Sequence, residues 1–285
     1  KIIQRLGFGL LALLTLATAA PILLLVGYIL QQGLPAISLE FLTGFPENGM
    51  RAGGILPAIV GTFWLTLGTA VVAVPIGVGA AIYLAEYAPE NRRTRAIRIA
   101  IVNLAGVPSV VYGLFGLGLF VLFLRFGTSI LAGSLTLSIM TLPVIISTAE
   151  EALRAVPHSF RVVSISLGGT RWQTVRRIVL PQALPGILTG VILGLERAAG
   201  ETAPILFTVA AFFLPRLPHS PLDATMALPY HLFVISTQVP GMPIQIQYGT
   251  ALTLLPFVLS MNLIASVIRA RARAGAARRS PTPPR

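Results

Sequence analysis

Charge is scarce along this chain, and the gaps between charges are long. Residues 6–39, 52–85, 99–124 and 126–149 contain no Asp, Glu, Lys or Arg. A helix that crosses a bilayer needs about 20 consecutive apolar residues. The pattern therefore predicts spans at 8–30, 55–84, 99–124 and 127–148, and a fifth at 183–213, after Pro181, that tolerates Glu196, Arg197 and Glu201. A last charge-free stretch, 224–268, is interrupted in its first half by Pro229, His231, Pro240 and Pro243, which leaves 249–268 as the sixth span and at most a partial helix between 214 and 248. The expected fold class is all-α and polytopic, with a transmembrane domain over 8–268.

Composition agrees with that reading. Of 285 residues, 55% are hydrophobic and 11% charged, whereas a soluble domain carries about 25% charged residues to wet its surface. The 27 Gly and 22 Pro fall inside long apolar runs, as membrane helices permit. No cysteine is present, which excludes disulfides, iron–sulfur clusters and cysteine nucleophiles; the three His are too far apart along the chain to suggest a metal site. Ala17–Thr18–Ala19 resembles a signal-peptidase site, but the apolar run continues to Leu30 and is too long for a signal peptide, so a retained first helix is expected. The sequence begins at Lys1 rather than Met, which points to residues upstream.

A net charge of +12 suggests nucleic acid as a partner, but the distribution of the charge points to a membrane and no nucleic acid. Lys1 and Arg5, Arg92, Arg93, Arg95 and Arg98, Arg154, Arg161, Arg171, Arg176 and Arg177, and Arg269, Arg271, Arg273, Arg278, Arg279 and Arg285 fall at one side of a six-span topology. Only Arg51, Arg125 and Arg216 fall at the other. Basic loops stay cytoplasmic, so both termini are expected on the cytoplasmic side of the membrane. Residues 1–7 then form a short cytoplasmic N-terminus, and 269–285 a basic, disordered cytoplasmic tail held near anionic lipid.

The segment 150–181 is neither a span nor a plain linker. Ser159 can cap a short helix with Phe160, Val163 and Leu167 on one face, ended by Gly168 and Gly169. Thr170 with Gln173 fits a capping box that opens a second amphipathic piece carrying Trp172, Val175 and Val179, up to Pro181 and Pro185. On its own this pattern also fits an interfacial hairpin lying on lipid.

The run Gly168, nine residues, Ile178–Val179–Leu180–Pro181 resembles the second half of the EAA loop of bacterial ABC importer permeases. Where that loop carries an acidic residue and two alanines, this chain has Val162, Val163 and Ser164. Four further stretches, GGILPAIVGT (Gly53 to Thr62), YLAEYAPEN (Tyr83 to Asn91), GVPSVVYGLF (Gly106 to Phe115) and LERAAGETAPILF (Leu195 to Phe207), resemble the phosphate-importer permeases of the PstA family. The resemblance implies a type I ABC importer permease fold and a coupling helix seated on an ATPase through Phe160, Arg161, Val163, Leu167, Gly168, Gly169, Thr170, Leu180 and Pro181. It also implies a PstC permease as heterodimer partner, a dimer of PstB ATPases carrying the ATP and Mg, a PstS binding protein and phosphate as cargo, with no cofactor on this chain itself.

The fifth span carries the candidate chemistry. A charge at the bilayer centre costs several kcal/mol unless it faces protein or water. At about 100° per residue, Gly186, Gly190, Gly194, Arg197 and Glu201 share one narrow face, a small-residue packing ridge ending in an ion pair. Gly200 and Pro204 predict a helix break beside that pair. Two roles fit: a neutralised pair that locks packing, or an anion route in which Arg197 meets the substrate and Glu201 holds it otherwise, an Arg fork suiting phosphate. Glu196, about 100° away from Arg197, and Asn103 and Ser109 are further pathway candidates. His219 and His231, in the outer segment, are expected solvated or capping.

Rival functions are poorly served. Lys1 is the only lysine, so no P-loop exists and hydrolysis must occur on another chain. Gly7, Gly9 and Ala12 match a dinucleotide-binding string but open a membrane span. An intramembrane protease lacks a histidine in any predicted span. The chain thus has no catalytic residue of its own. A permease for another oxyanion, the sister subunit PstC and an ion-coupled secondary transporter remain the alternatives.

Overall fold

In the computed structural model, which describes residues 2–277, the chain is helical almost throughout. The elements are α1 (Ile2–Gly33), α2 (Leu39–Thr43), the two-residue strands β1 (Pro46–Glu47) and β2 (Ala52–Gly53), α3 (Leu56–Ile82), α4 (Arg92–Ala105), α5 (Ser109–Gly116), α6 (Ile130–Arg154), α7 (His158–Ser166), α8 (Arg171–Thr174), α9 (Leu180–Gly200), α10 (Ala203–Thr208), α11 (Leu228–Thr237) and α12 (Ile244–Ala277). Three π-helical turns, Tyr83–Tyr87, Leu117–Phe123 and Val175–Val179, extend α3 and α5 and join α8 to α9. Five segments, Gly7–Ala36, Leu56–Tyr87, Ile130–Arg154, Arg171–Gly200 and Ile244–Met261, are long and apolar enough to cross a membrane. The all-α polytopic class expected from the charge gaps is the fold observed.

Several boundaries differ from expectation for identifiable reasons. The 99–124 span is two helices, α4 and α5 with its π extension, bent by 100° at a break of a few residues. Gly106, Val107 and Pro108 occupy the break, where proline removes a donor and disfavours helical backbone at the residue before it. The 183–213 span ends at Gly200, and only the six-residue α10 follows. Helix α6 runs past Glu150 to Arg154 because Glu150 is neutralised by Arg98 (2.7 Å) and Arg154 (3.0 Å). The loop between α6 and α9 is therefore shorter than 150–181. Pro157, not Ser159, precedes the first turn of α7. Pro181 and Pro185 do not interrupt the chain: Pro181 sits in the first turn of α9, directly after the π turn Val175–Val179. Finally, α12 continues through 269–277, into the stretch read as a disordered tail, and residues 278–285 of that tail lie outside the described residues.

The fold divides into two units. One joins the chain up to Leu56 with Leu232–Pro256. In it the end of α1 meets the start of α12: Tyr28 and Tyr248 stack edge to face at 5.3 Å, and a Cβ on Gly33 would lie 2.6 Å from the Tyr248 carbonyl oxygen. The β1–β2 hairpin turns through Gly49 at φ 65°, and Arg51 donates to the Pro240 carbonyl at 2.6 Å.

The other unit joins Pro57–His231 with the chain from Phe257 onward, and its core is α3, α6 and α9. Ala73, Ala81, Ile145, Ala149, Leu153, Val179, Ala183 and Ile187 are buried together. Small residues let these helices approach, as membrane interfaces require in the absence of a hydrophobic drive between helices. Ser134 and Ser138 donate to the α3 carbonyls of Leu65 (3.4 Å) and Thr69 (3.3 Å). On α9, a Cβ at Gly186 would lie 2.5 Å from Ala152 and one at Gly194 2.9 Å from Ile145, while one at Gly190 would overlap Thr148. The Gly186, Gly190, Gly194 ridge therefore seats α9 on α6.

Candidate functional site

The core that seats α9 on α6 also places Arg197 in the last turn of α9 and Glu201 just beyond its end. Backbone turns extended at Glu201 (φ −75°, ψ 137°), and Pro204 opens α10 after a gap of two residues. Across this break Arg197 Nε lies 3.4 Å from Glu201 Oε1, with 37% and 18% of the two side chains exposed. That distance is loose for a charge-assisted hydrogen bond, and no other hydrogen bond engages Arg197 among the described residues. The guanidinium is thus held by one weak contact, with about a third of the side chain exposed. Glu201 also borders a cavity of about 10 Å3 with Thr62, Thr66 and Pro229, room for about one water.

The bent α4–α5 pair closes in on the same place. A Cβ on Gly113 would lie 2.9 Å from Phe207 and from Pro204, so α5 packs directly on α10. Tyr112 is buried, donates to the Leu104 carbonyl across the bend at 2.7 Å, and lies within electrostatic reach of Arg197. Tyr112 was not singled out from sequence, although it lies in the GVPSVVYGLF stretch. Asn103 and Ser109 are not brought to the pair: Asn103 is exposed on α4, Ser109 begins α5, and among the described residues neither hydrogen-bonds to Arg197 or Glu201. Glu196 is half-buried on another face of α9.

At the other end of α9 lies the loop. Phe160 and Val163 on α7 and Leu167 directly after it are exposed, Leu167 at 83%. With Ser159, Gln173 and Ile178 they border an open cleft of about 440 Å3. Gly168 takes φ 80°, a left-handed value that suits glycine, and the Gly169 N–H donates to Ser164 at 3.0 Å. Thr170 and Gln173 form the reciprocal capping box that opens α8. Leu180 packs instead against the buried core and Pro181 is exposed at the start of α9, so neither lines the cleft. Arg161 turns inward to Glu86, a partner 75 residues earlier that hydropathy alone does not reveal.

His219 is exposed, and its N–H and that of Ser220 donate to Asp223 at 2.9 and 3.2 Å, holding that carboxyl below its usual range. His231, on the short α11 outside the spanning segments, is buried rather than solvated. Its Nδ1 has no hydrogen-bond partner among the described residues, and burial pushes the imidazole down to about 4.

Residues 73–274 match the family described as binding-protein-dependent transport system inner membrane component, and the chain belongs to that family. It is thus an ABC importer permease subunit, whose ATPase and binding protein are separate partners. The chain is 35% identical over 279 residues, 93% of it and 94% of the relative, to the probable ABC transporter permease protein YqgI of Bacillus subtilis (strain 168). It is 38% identical over 219 residues, 76% of it and 71% of the relative, to the phosphate transport system permease protein PstA 1 of Mycobacterium tuberculosis (strain CDC 1551 / Oshkosh). Its fold is that of type I ABC importer permeases: a bacterial ABC transporter involved in the import of the acidic polysaccharide alginate superposes with TM-score 0.68 at 14% identity, over 92% of this chain and 95% of that one.

Proposed function

We propose that this chain is the PstA-type subunit of a phosphate importer in the bacterial inner membrane. It pairs with a PstC permease to form the pathway, receives phosphate from a PstS binding protein, and moves it by alternating access driven by ATP on a PstB dimer. The observation that carries the reading is the underbonded Arg197 at the α9 break, in a chain whose relatives include phosphate permeases. A planar guanidinium with free donors matches a tetrahedral oxyanion bidentately, and Glu201 supplies a competing acceptor that lets the anion leave. In the same reading the exposed face of α7 seats on the ATPase and both termini are cytoplasmic.

The test is uptake of labelled phosphate, with sulfate as competitor, by vesicles holding this chain with its partner permease, ATPase and binding protein. Phosphate-stimulated ATP hydrolysis with uptake unaffected by sulfate is expected. Equal competition by sulfate would make it a permease for another oxyanion.

A further inference from the structure

The apolar side chains of α7, Phe160, Val162, Val163 and Ile165, are all exposed, whereas its two half-buried positions are polar: Arg161 and Ser164. α7 is therefore gripped by hydrogen bonds and charge, which are directional. Arg161 uses every nitrogen of its guanidinium. Nε lies 3.2 Å from both Glu86 carboxylate oxygens, and Nη2 lies 2.6 Å from Oε1. Nη2 also donates to the Leu153 carbonyl at 2.9 Å, and Nη1 to the Val156 carbonyl at 2.7 Å. Those carbonyls belong to the end of α6 and the turn after it, where helical acceptors lack backbone donors. Glu86 stands on the π turn Tyr83–Tyr87 that ends α3, and the side chains of the pair are only 8% and 16% exposed. The next residue, Tyr87, holds the Arg171 guanidinium of α8 at 5.8 Å over its ring. Consecutive residues of one π turn thus hold both short helices of the loop, a geometry that an inserted residue in a helix provides.

We propose that Glu86 and Tyr87 form a socket that carries movement of the α7–α8 loop into the α3–α6 core, with Arg161 as the strut, so that they position the loop for coupling rather than bind substrate or ATPase. The proposal rests on the reading of α7 as the ATPase dock. An arginine is required because three separate acceptors, a carboxylate and two carbonyls, must be met by one planar group. The pair is largely shielded from solvent and hence weakly screened. Its loss would leave α7 on the surface with its apolar face intact but free to move without α3.

The absence of native cysteine makes a direct test possible in the complete transporter complex in vesicles. In Glu86→Cys/Arg161→Cys, with thiols free, phosphate uptake per ATP hydrolysed should fall about tenfold or more while the ATPase still co-purifies. Bridging the two thiols with a short bifunctional reagent should restore the ratio, and reductive release of the bridge should abolish it again. Glu86→Gln, which keeps the shape and removes the charge, should lower the same ratio about threefold or more, and it serves should the cysteine pair not assemble. An unchanged uptake-to-hydrolysis ratio in Glu86→Gln, or a bridged pair that stays uncoupled, overturns the strut. Leu167→Asp reports on the dock separately: it should release the ATPase from the complex. Retention of the ATPase by Leu167→Asp removes the docking reading, and the socket with it.

Discussion

At the scale of single residues, the Arg197–Glu201 pair has two possible roles that differ in what removing both charges does. If Glu201 only neutralises Arg197 for packing, deleting one charge orphans the other, and deleting both restores stability and transport. If Arg197 meets the anion, Arg197→Gln and Arg197→Gln/Glu201→Gln both lose uptake, by about a hundredfold, some 2.7 kcal/mol of lost interaction, while the double variant stays folded. Glu201→Gln alone should bind phosphate more tightly and release it more slowly. Initial uptake rates in vesicles with thermal melting of each variant separate the two, and the long 3.4 Å contact is what the second expects. His231 gives a residue-scale expectation for stability. Its imidazole is held down to about 4 when folded, against 6.5 when exposed. The folded state therefore binds fewer protons, and stability present above pH 6.5 is lost as pH falls toward 4, by up to about 3 kcal/mol at about 1.4 kcal/mol per unit. Melting at pH 5 and pH 7 should show this dependence in the parent chain and a flatter one in His231→Phe.

Among the elements, the α6–α9 contact rests on the small residues of α9. Any side chain at Gly190 meets Thr148, so Gly190→Val should cost about 1–3 kcal/mol from overpacking. Gly118→Ala, with nothing within 4 Å of the added carbon, should be close to neutral. Denaturation in detergent measures both, and equal stability of the two variants would contradict the seating of α9 on α6. Turn geometry gives the second element-scale expectation. Gly168→Val places a β-branched residue at φ 80°, at a strain of about 1–3 kcal/mol, and should lower uptake per ATP hydrolysed while insertion and assembly survive. Elements of this kind differ in how far they could be read from the residues. Charge gaps mark apolar helices well because desolvation penalises charge wherever it falls, and α1, α3, α6 and α12 each overlap one of the long uncharged runs. They mark helix breaks poorly, since Gly106 to Pro108 sits inside an uncharged run. Arg197, Glu201 and the glycine ridge were legible as local periodicity. Glu86 was not, because its partner is 75 residues away, nor was Tyr112, whose hydroxyl bonds across a bend that hydropathy does not show.

For the molecule as a whole, sidedness is the property on which the other assignments depend, because ATP is available only inside the cell and the proposed docking of α7 on an ATPase requires its exposed face to lie there. Each Lys or Arg near an anionic cytoplasmic leaflet contributes about 1 kcal/mol. The two groups, seventeen basic residues from the termini and two loops against Arg51, Arg125 and Arg216, therefore differ by far more than thermal energy. That difference favours one orientation, with both termini and the 154–177 arginines inside and the His219–Asp223 turn outside. A cysteine at Ser280 should be shielded from a membrane-impermeant thiol reagent in intact cells and react in inverted vesicles, and a cysteine at Ser220 should do the reverse. The chain's own lack of cysteine keeps background labelling from it absent. Labelling of Ser280→Cys from outside would turn the molecule over, place Arg161 and the exposed face of α7 away from any ATPase, and remove the coupling reading along with the topology.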